Sequence, residues 1–139
     1  TKQDGVGMKI VVGFIDSPEG NAAIDKAIEE ATLRNASLVV VHSKLGGRHD
    51  KAEDYIAMNN ALEDLARRLV SAGVEHEIHE YVRGDKPAED LIQAVEDYDA
   101  GLIVIGIRER SATGKMLLGS NALDILHYSP VPVLCVKAK

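Results

Sequence analysis

The chain has 139 residues, 27% of them charged and 45% hydrophobic, a composition that fits one globular domain and excludes a disordered polypeptide. Its formal net charge of −6 disfavours binding to nucleic acid or to an anionic membrane, because both require a dense array of Lys and Arg. The single cysteine, Cys135, excludes an internal disulfide, and no apolar run reaches the roughly 20 residues that span a bilayer, so we predict a cytoplasmic protein.

Residues 1–7 are polar, without any periodic pattern, and predict a disordered tail ahead of a single domain over 8–139. Within that domain, short apolar runs alternate with segments whose apolar residues recur at helical spacing. The runs predict five strands, at 10–15, 38–41, 74–82, 102–106 and 131–136. The third run alternates charged with other residues, so we expect that strand at a half-exposed edge of the sheet.

Four segments between these strands predict helices. The first opens at Ser17-Pro18-Glu19, where a capping hydroxyl, a proline and an acidic residue form a typical helix start. The others are a helix over 56–70 that ends at Gly73, one that opens at Pro87, and one over 120–127.

The alternation of strands and helices predicts an α/β fold, a five-stranded parallel, doubly wound (Rossmann-like) sheet with helices on both faces. We expect the strand order 3-2-1-4-5. Ligands of such sheets bind beyond the carboxyl ends of the strands, where the strand order reverses, so the loops at that edge are the candidates for function.

The most informative of these loops runs from Gly106, at the end of the fourth strand, to Gly119-Ser120-Asn121 at the fourth helix. Glycine permits close approach of a ligand, and a helix start with a hydroxyl residue offers N–H donors that favour a phosphate. The loop also contains Arg108 and two further basic residues in an otherwise acidic protein. An ordinary capped helix with solvated basic residues explains the same pattern, so both interpretations stay open.

Several motifs resemble, in order and spacing, the universal stress protein family from residue 8 onward. The resemblance is carried by Val12-Gly13-Phe14-Ile15-Asp16-Ser17-Pro18-Glu19, His42, Gly84-Asp85-Lys86-Pro87-Ala88, 102–108, 117–120 and Pro130-Val131-Pro132-Val133-Leu134-Cys135-Val136. It implies a five-stranded parallel α/β fold and frequent homodimers. In one branch of the family it also implies binding of ATP or AMP through a G-x-x-G-x₉-G-[ST] loop.

Two residues depart from that pattern. Glu109 stands at the second glycine of the loop, where a carboxylate repels phosphates unless it points outward or helps to hold a magnesium ion. Ile15 aligns without a gap with the family's aspartate that contacts the ribose, and Asp16, one residue along, substitutes for it only if the loop shifts. Neither departure excludes nucleotide binding.

For the residues that match, the resemblance implies definite roles. Gly106 would lie beside the ribose, and backbone near Ser43 would face the adenine. Arg108 would add a charge-assisted contact to the phosphate tail. The phosphates themselves would be held by Gly119, Ser120 and the amide of Asn121.

Metal or covalent chemistry has little support in the sequence. His76 and His79 stand among acidic residues in the third strand, but residues three apart on a strand point to opposite faces. Cys135 lies in an apolar strand, and we expect a buried, unreactive thiol.

These observations predict a stress-response module in which ATP or AMP, with or without Mg²⁺, orders the loop 108–118 and biases partner binding. The alternative is a nucleotide-free interaction module of the same family, which Glu109 and Ile15 favour. A slow ATP hydrolase is a third alternative, for which no general base is evident. The last strand, 131–136, is apolar on both faces yet expected at a sheet edge, and therefore predicts a homodimer that pairs it across a two-fold axis.

Overall fold

The computed structural model of the protein describes residues 7–43, 52–81, 87–108 and 118–138. Apart from Gly7, the predicted tail 1–7 lies outside the described residues, and so does Glu109. In the described part, strands and helices alternate in the order β1 (Lys9–Gly13), α1 (Pro18–Arg34), β2 (Ser37–Ser43), α2 (Ala52–Ala72), β3 (His76–Tyr81), α3 (Pro87–Tyr98), β4 (Leu102–Ile107), α4 (Ser120–Tyr128) and β5 (Val133–Lys137). None of these four helices is long and apolar enough to cross a membrane.

The strands form one parallel sheet in the order β3-β2-β1-β4-β5, which confirms the predicted topology. Ile10, Val11 and Val12 of the central strand β1 pair with β2 on one side and with β4 on the other. β3 and β5 form the two edges, as predicted for the third and fifth strands. The order reverses between β1 and β4, because the chain leaves β1 toward β2 but leaves β4 toward β5.

Helices cover both faces of the sheet. Because successive residues of a strand point to opposite faces, each central strand contributes side chains to two separate cores. Val12 belongs to the core beneath α1 and α2, where it is buried together with Ala27 and Leu69. Val11 belongs to the core beneath α3 and α4, together with Leu91. Burial on both faces explains why the central strands are continuous apolar runs.

The ends of the helices follow the local sequence. The hydroxyl oxygen of Ser17 accepts a hydrogen bond from the backbone N–H of Gly20 at 3.1 Å, which confirms the predicted start of α1. Gly73, directly after α2, has a φ of 70°, a left-handed conformation that glycine adopts without strain. Only residues 14–17 therefore separate the end of β1 from the first turn of α1.

Candidate functional site

A cavity of about 270 Å³ opens at the carboxyl ends of β1, β2 and β4, where the strand order reverses. Its described lining consists of Gly13, Phe14, Ile15, Gly20, Val41, Pro87, Leu91, Ile105, Gly106, Asn121, Ala122 and Ile125. Three residues predicted for the site from sequence, Ile15, Gly106 and Asn121, therefore meet in one cavity although they are far apart in the chain.

The cavity walls are mostly apolar. Phe14, Leu91, Ile105 and Ile125 contribute large hydrophobic side chains, and Asn121 is the one polar side chain within the described lining. Apolar walls with few polar groups are typical of pockets that bind small organic molecules. A flat, weakly polar ring fits such walls, with its polar substituents directed toward backbone groups or toward the Asn121 end.

Glycine is required at two close backbone contacts of the first turn of α1, one with β4 and one with the β1–α1 connection. A Cβ atom on Gly106 would lie 1.8 Å from the carbonyl oxygen of Glu19, and one on Gly20 would lie 1.8 Å from that of Ile15. Real Cβ atoms do not approach backbone oxygens this closely, so a larger residue in place of Gly106 would push α1 away from β4, and one in place of Gly20 would displace the connection between β1 and α1. The resemblance implies a place for Gly106 beside a ribose, whereas its packing role has no sequence signal, because it arises where two elements distant in the chain meet.

Gly119 is different, because nothing local requires glycine there. It is the N-cap residue of α4 with a φ of −71° and a ψ of 167°, a conformation that other residues adopt readily. A Cβ atom at this position would have no described heavy atom within 4 Å. No described residue therefore fills the space beside Gly119 at the start of α4. Ser120 and Asn121, in the first turn of this helix, are exposed.

The first turn of a helix has N–H groups without partners inside the helix, and it carries the positive end of the helix dipole. In α4 that turn contains Ser120 and Asn121, and Asn121 also lines the cavity. Apolar walls beside a helix start, whose first N–H groups have no partner within the helix, suit a ligand that combines a ring with an anionic group.

An ion pair joins α1 to the end of β4. Arg108 donates two hydrogen bonds to the Glu19 carboxylate, from Nε to Oε2 at 2.6 Å and from Nη2 to Oε1 at 2.6 Å. The Glu19 side chain is 9% exposed and that of Arg108 47% exposed. The Arg108 hydrogen bonds lower the pKa of Glu19 from 4.5 to about 2, although burial opposes this shift.

The ion pair gives Arg108 a different partner from the one that the family resemblance implies. The resemblance implies a contact between Arg108 and a phosphate tail, whereas in the structure its guanidinium is held by Glu19. In the sequence, Glu19 is recognisable only as the acidic residue of a helix start. The two residues are 89 positions apart, so no local pattern signals their contact.

Ile15 and Asp16 were the two candidates for the ligand-facing position after β1. Ile15 lines the cavity and is 55% exposed, while Asp16 is exposed and does not belong to the lining. The backbone turns at this point, with the N–H of Ser17 donating to the carbonyl of Ile15 at 2.9 Å. The residue at the mouth of the cavity is therefore the apolar one.

Ser43 and Glu109 are two further residues that the sequence predicts for the site. Ser43 is the last residue of β2, two positions after the cavity-lining Val41. Glu109 lies outside the described residues, as does the rest of the loop up to residue 117.

None of the described histidines lines the cavity. His79 Nε2 lies 2.7 Å from the Tyr98 hydroxyl, whereas His76 Nδ1 lies 2.9 Å from the carbonyl of Val74, so their rings have separate partners. His42 is buried near the end of β2, and burial lowers its pKa although Glu80 opposes the shift. Across the described ranges, no group of three metal-ligating side chains comes together.

Comparison with known proteins gives a consistent match. The model of the universal stress protein family matches residues 8–137. A universal stress protein of Mycolicibacterium smegmatis is 41% identical over 128 residues, which cover 92% of this chain and 96% of that protein. A solved universal stress protein of Archaeoglobus fulgidus is 39% identical, with a TM-score of 0.81 over 95% of this chain and 100% of that one. An Archaeoglobus fulgidus structure in complex with dAMP is 34% identical, with a TM-score of 0.75 over 95% of this chain and 99% of that one.

Proposed function

The chain belongs to the universal stress protein family, and from that premise we propose that it is a regulatory module that binds an adenine nucleotide in the cavity beyond β1 and β4. The observation that carries the proposal is the position of this cavity, between apolar walls and the N-terminal end of α4. The similar protein solved in complex with dAMP supports the same class of ligand. We propose a cytoplasmic location, because the single cysteine has no internal disulfide partner.

The two ends of a nucleotide suit two features of the site, its apolar walls and the first turn of α4 that borders it. Adenine is flat and weakly polar, and it would lie against side chains such as Phe14 and Leu91. The phosphate is anionic and would accept hydrogen bonds from the first turn of α4, with the Ser120 hydroxyl as a further donor. Gly119 would leave room for its oxygens close to the backbone.

We propose that ATP or AMP is the physiological ligand and that the loop between β4 and α4 responds to its binding. Residues 109–117 connect Arg108, at the end of β4, to the start of α4. We propose that a ligand bound there orders the loop 108–118, of which residues 109–117 lie outside the described part of the chain, and thereby biases the binding of a partner protein. With ATP, a Mg²⁺ ion would be held by the phosphates, because the described cavity lining contains no carboxylate.

A second candidate is a nucleotide-free, dimeric interaction module. β5 is an edge strand, and α4, the helix before it, exposes Leu123 (53%), Leu126 (43%) and Tyr128 (66%). An open edge beside exposed apolar side chains favours association with another chain. We propose that two copies pair through the predicted segment 131–136, of which 133–136 lie within β5.

Calorimetric titration with AMP and with ATP, each with and without Mg²⁺, tests the first candidate. We expect binding in the micromolar range or tighter, and a loss of at least about tenfold in affinity for Ser120→Ala and Gly119→Val, which alter the proposed phosphate contacts. Ser71→Ala, an exposed serine of α2, is the matched control. If the parent binds and both site variants bind equally well, the assignment of the site is wrong. If the parent binds no nucleotide, the dimeric module becomes the better description.

A further inference from the structure

β3 is the outermost strand on one side of the sheet. It pairs with β2 on its inner side, and the strand order places no described strand on its outer side. None of its six residues is buried, whereas the three middle residues of β1 are. The outer side of such a strand presents backbone N–H and C=O groups to which a further strand can bind.

Alternate residues of β3 direct their backbone groups outward. The N–H of Leu38 in β2 donates to the carbonyl of Glu75 at 2.9 Å, and Leu38 lies opposite His76. In a parallel ladder, this pattern assigns the backbone groups of the odd-numbered residues of β3 to β2. The even-numbered residues therefore direct theirs away from the sheet, and these are His76, Ile78 and Glu80.

β3 is complementary to itself when two copies run antiparallel, because its first five residues are His76-Glu77-Ile78-His79-Glu80. With Ile78 opposite the partner's Ile78, each His76 faces the partner's Glu80, and each Glu77 faces the partner's His79. The outward-directed backbone groups of the two strands then lie opposite each other, as an antiparallel ladder requires. Opposite charges that face each other across a sheet stabilise the pairing.

Neighbouring registers lack this complementarity. A shift by two residues in one direction places Glu77 opposite the partner's Glu77, and a shift in the other direction places His79 opposite the partner's His79. A shift by a single residue sets outward-directed backbone groups against inward-directed ones, so that no ladder forms. Charged residues usually protect an edge strand from pairing, but these favour one partner, a second copy, in one register.

We propose that β3 is a second self-association surface, at which two copies pair antiparallel across a two-fold axis through Ile78. Ile78 packs against the core beneath α1 and α2 and is only partly buried, so a second copy would cover more of its side chain. The contact is short, and we expect a dissociation constant of about 0.1 to 1 mM. β5 lies at the opposite edge of the sheet, so the dimer proposed there is a separate contact.

The two kinds of charge pair do not contribute equally. His79 Nε2 already lies 2.7 Å from the Tyr98 hydroxyl and 3.0 Å from Glu77 Oε1, and Lys9 Nζ lies 3.6 Å from Glu77 Oε2. The partner's residues would join groups that have contacts within their own chain. We therefore expect the other pair, between His76 and the partner's Glu80, to contribute more.

The His76 ring is suited to this pair. Its Nδ1 lies 2.9 Å from the carbonyl of Val74, and a carbonyl only accepts hydrogen bonds, so Nδ1 carries a proton. Nε2 is the nitrogen left for the partner's Glu80, and it donates when the ring is charged. The tests below therefore use about pH 6, at which an ordinary imidazole is largely charged.

Disulfide trapping tests the contact. In a Cys135→Ser background, Ile78→Cys places one thiol of each copy at the proposed axis, at a Cα separation that a disulfide spans. At a chain concentration of about 0.5 mM, we expect covalent dimers to form at least about tenfold faster than with Val70→Cys. Val70, in α2, is 70% exposed and is the matched control. Equal rates in the two proteins would refute the contact.

A charge exchange in the Ile78→Cys protein tests the register. His76→Glu sets two carboxylates against each other and should slow trapping by at least about fivefold, and adding Glu80→His should restore the rate to within about twofold. Lys26→Glu makes a similar change from cation to anion in α1 and should have no effect.

No slowing by His76→Glu, or no recovery in a double variant that thermal unfolding shows to be folded, would refute the antiparallel register. If the double variant does not fold, the comparison of Ile78→Cys with Val70→Cys still decides whether the contact exists. Neither experiment uses a nucleotide, so failure of this inference and failure of the proposed function are distinguishable.

Discussion

The carboxylate of Glu19 and the guanidinium of Arg108 form a bidentate ion pair between the first turn of α1 and the end of β4. The pair lies beside Gly106, whose missing side chain lets the backbone of Glu19 rest against the sheet. Two contacts therefore hold α1 next to β4. One is the close backbone contact between Glu19 and Gly106, and the other is the ion pair between the side chains of Glu19 and Arg108.

The ion pair predicts an asymmetric effect of removing either partner. Arg108→Gln should lower the free energy of unfolding more than Glu19→Gln, because it leaves a nearly buried carboxylate without its partner, whereas the half-exposed Arg108 can be solvated. The double variant should be more stable than the sum of the single effects predicts. Urea titrations of the four proteins measure this coupling. Strictly additive effects would show that the pair contributes no interaction energy.

The same pair predicts a dependence of stability on acid pH. The pKa of Glu19 is lowered from 4.5 to about 2 in the folded chain, so its stabilising contribution is complete above about pH 4.5 and lost as the pH falls toward 2. The difference in urea midpoint between the parent and Glu19→Gln should therefore shrink over this range. Glu29→Gln, which alters an exposed pair with Lys26, is the control and should change the midpoint little at any pH.

The two glycines that flank the loop predict opposite outcomes for the same substitution. Gly106→Ala places a Cβ atom 1.8 Å from a backbone oxygen and should reduce stability by at least about 2 kcal/mol. Gly119→Ala meets no described atom and should change stability by less than about 0.5 kcal/mol, while it weakens nucleotide binding. Denaturant unfolding and calorimetry of the two variants separate packing from binding. Equal losses of stability would contradict this division.

The exposed face of α4 predicts how the chain associates. Sedimentation at micromolar concentration should show a dimer, and Leu123→Asp should weaken its association by at least about tenfold if α4 contributes beside the β5 edge. Val70→Asp, at a residue of α2 that is 70% exposed, is the matched control and should leave association unchanged. If the parent protein is a monomer at that concentration, the prediction of a dimer is wrong.

His42 predicts a second dependence of stability on pH, in a different range. Burial lowers its pKa in the folded chain below the usual 6.5, so the unfolded chain binds the proton more readily. The contribution of the neutral ring is thus present above about pH 6.5 and lost as the pH falls below it. The urea midpoint of the parent should decline between pH 7 and pH 5, and His42→Gln should flatten that decline. His127→Gln, an exposed histidine of α4, should not.

The sequence by itself determined the alternation of strands and helices, the cap at Ser17 and the left-handed turn at Gly73, because hydrophobic periodicity and capping depend on neighbouring residues. The rule that ligands bind where strand order reverses then indicated the carboxyl ends of the strands, which is where the cavity lies. Only the tertiary structure decided that Ile15, not Asp16, faces the cavity, that Gly106 accommodates the backbone of α1, and that Arg108 is paired with Glu19. Each of these depends on where segments distant in the chain meet, and local sequence patterns do not specify such contacts.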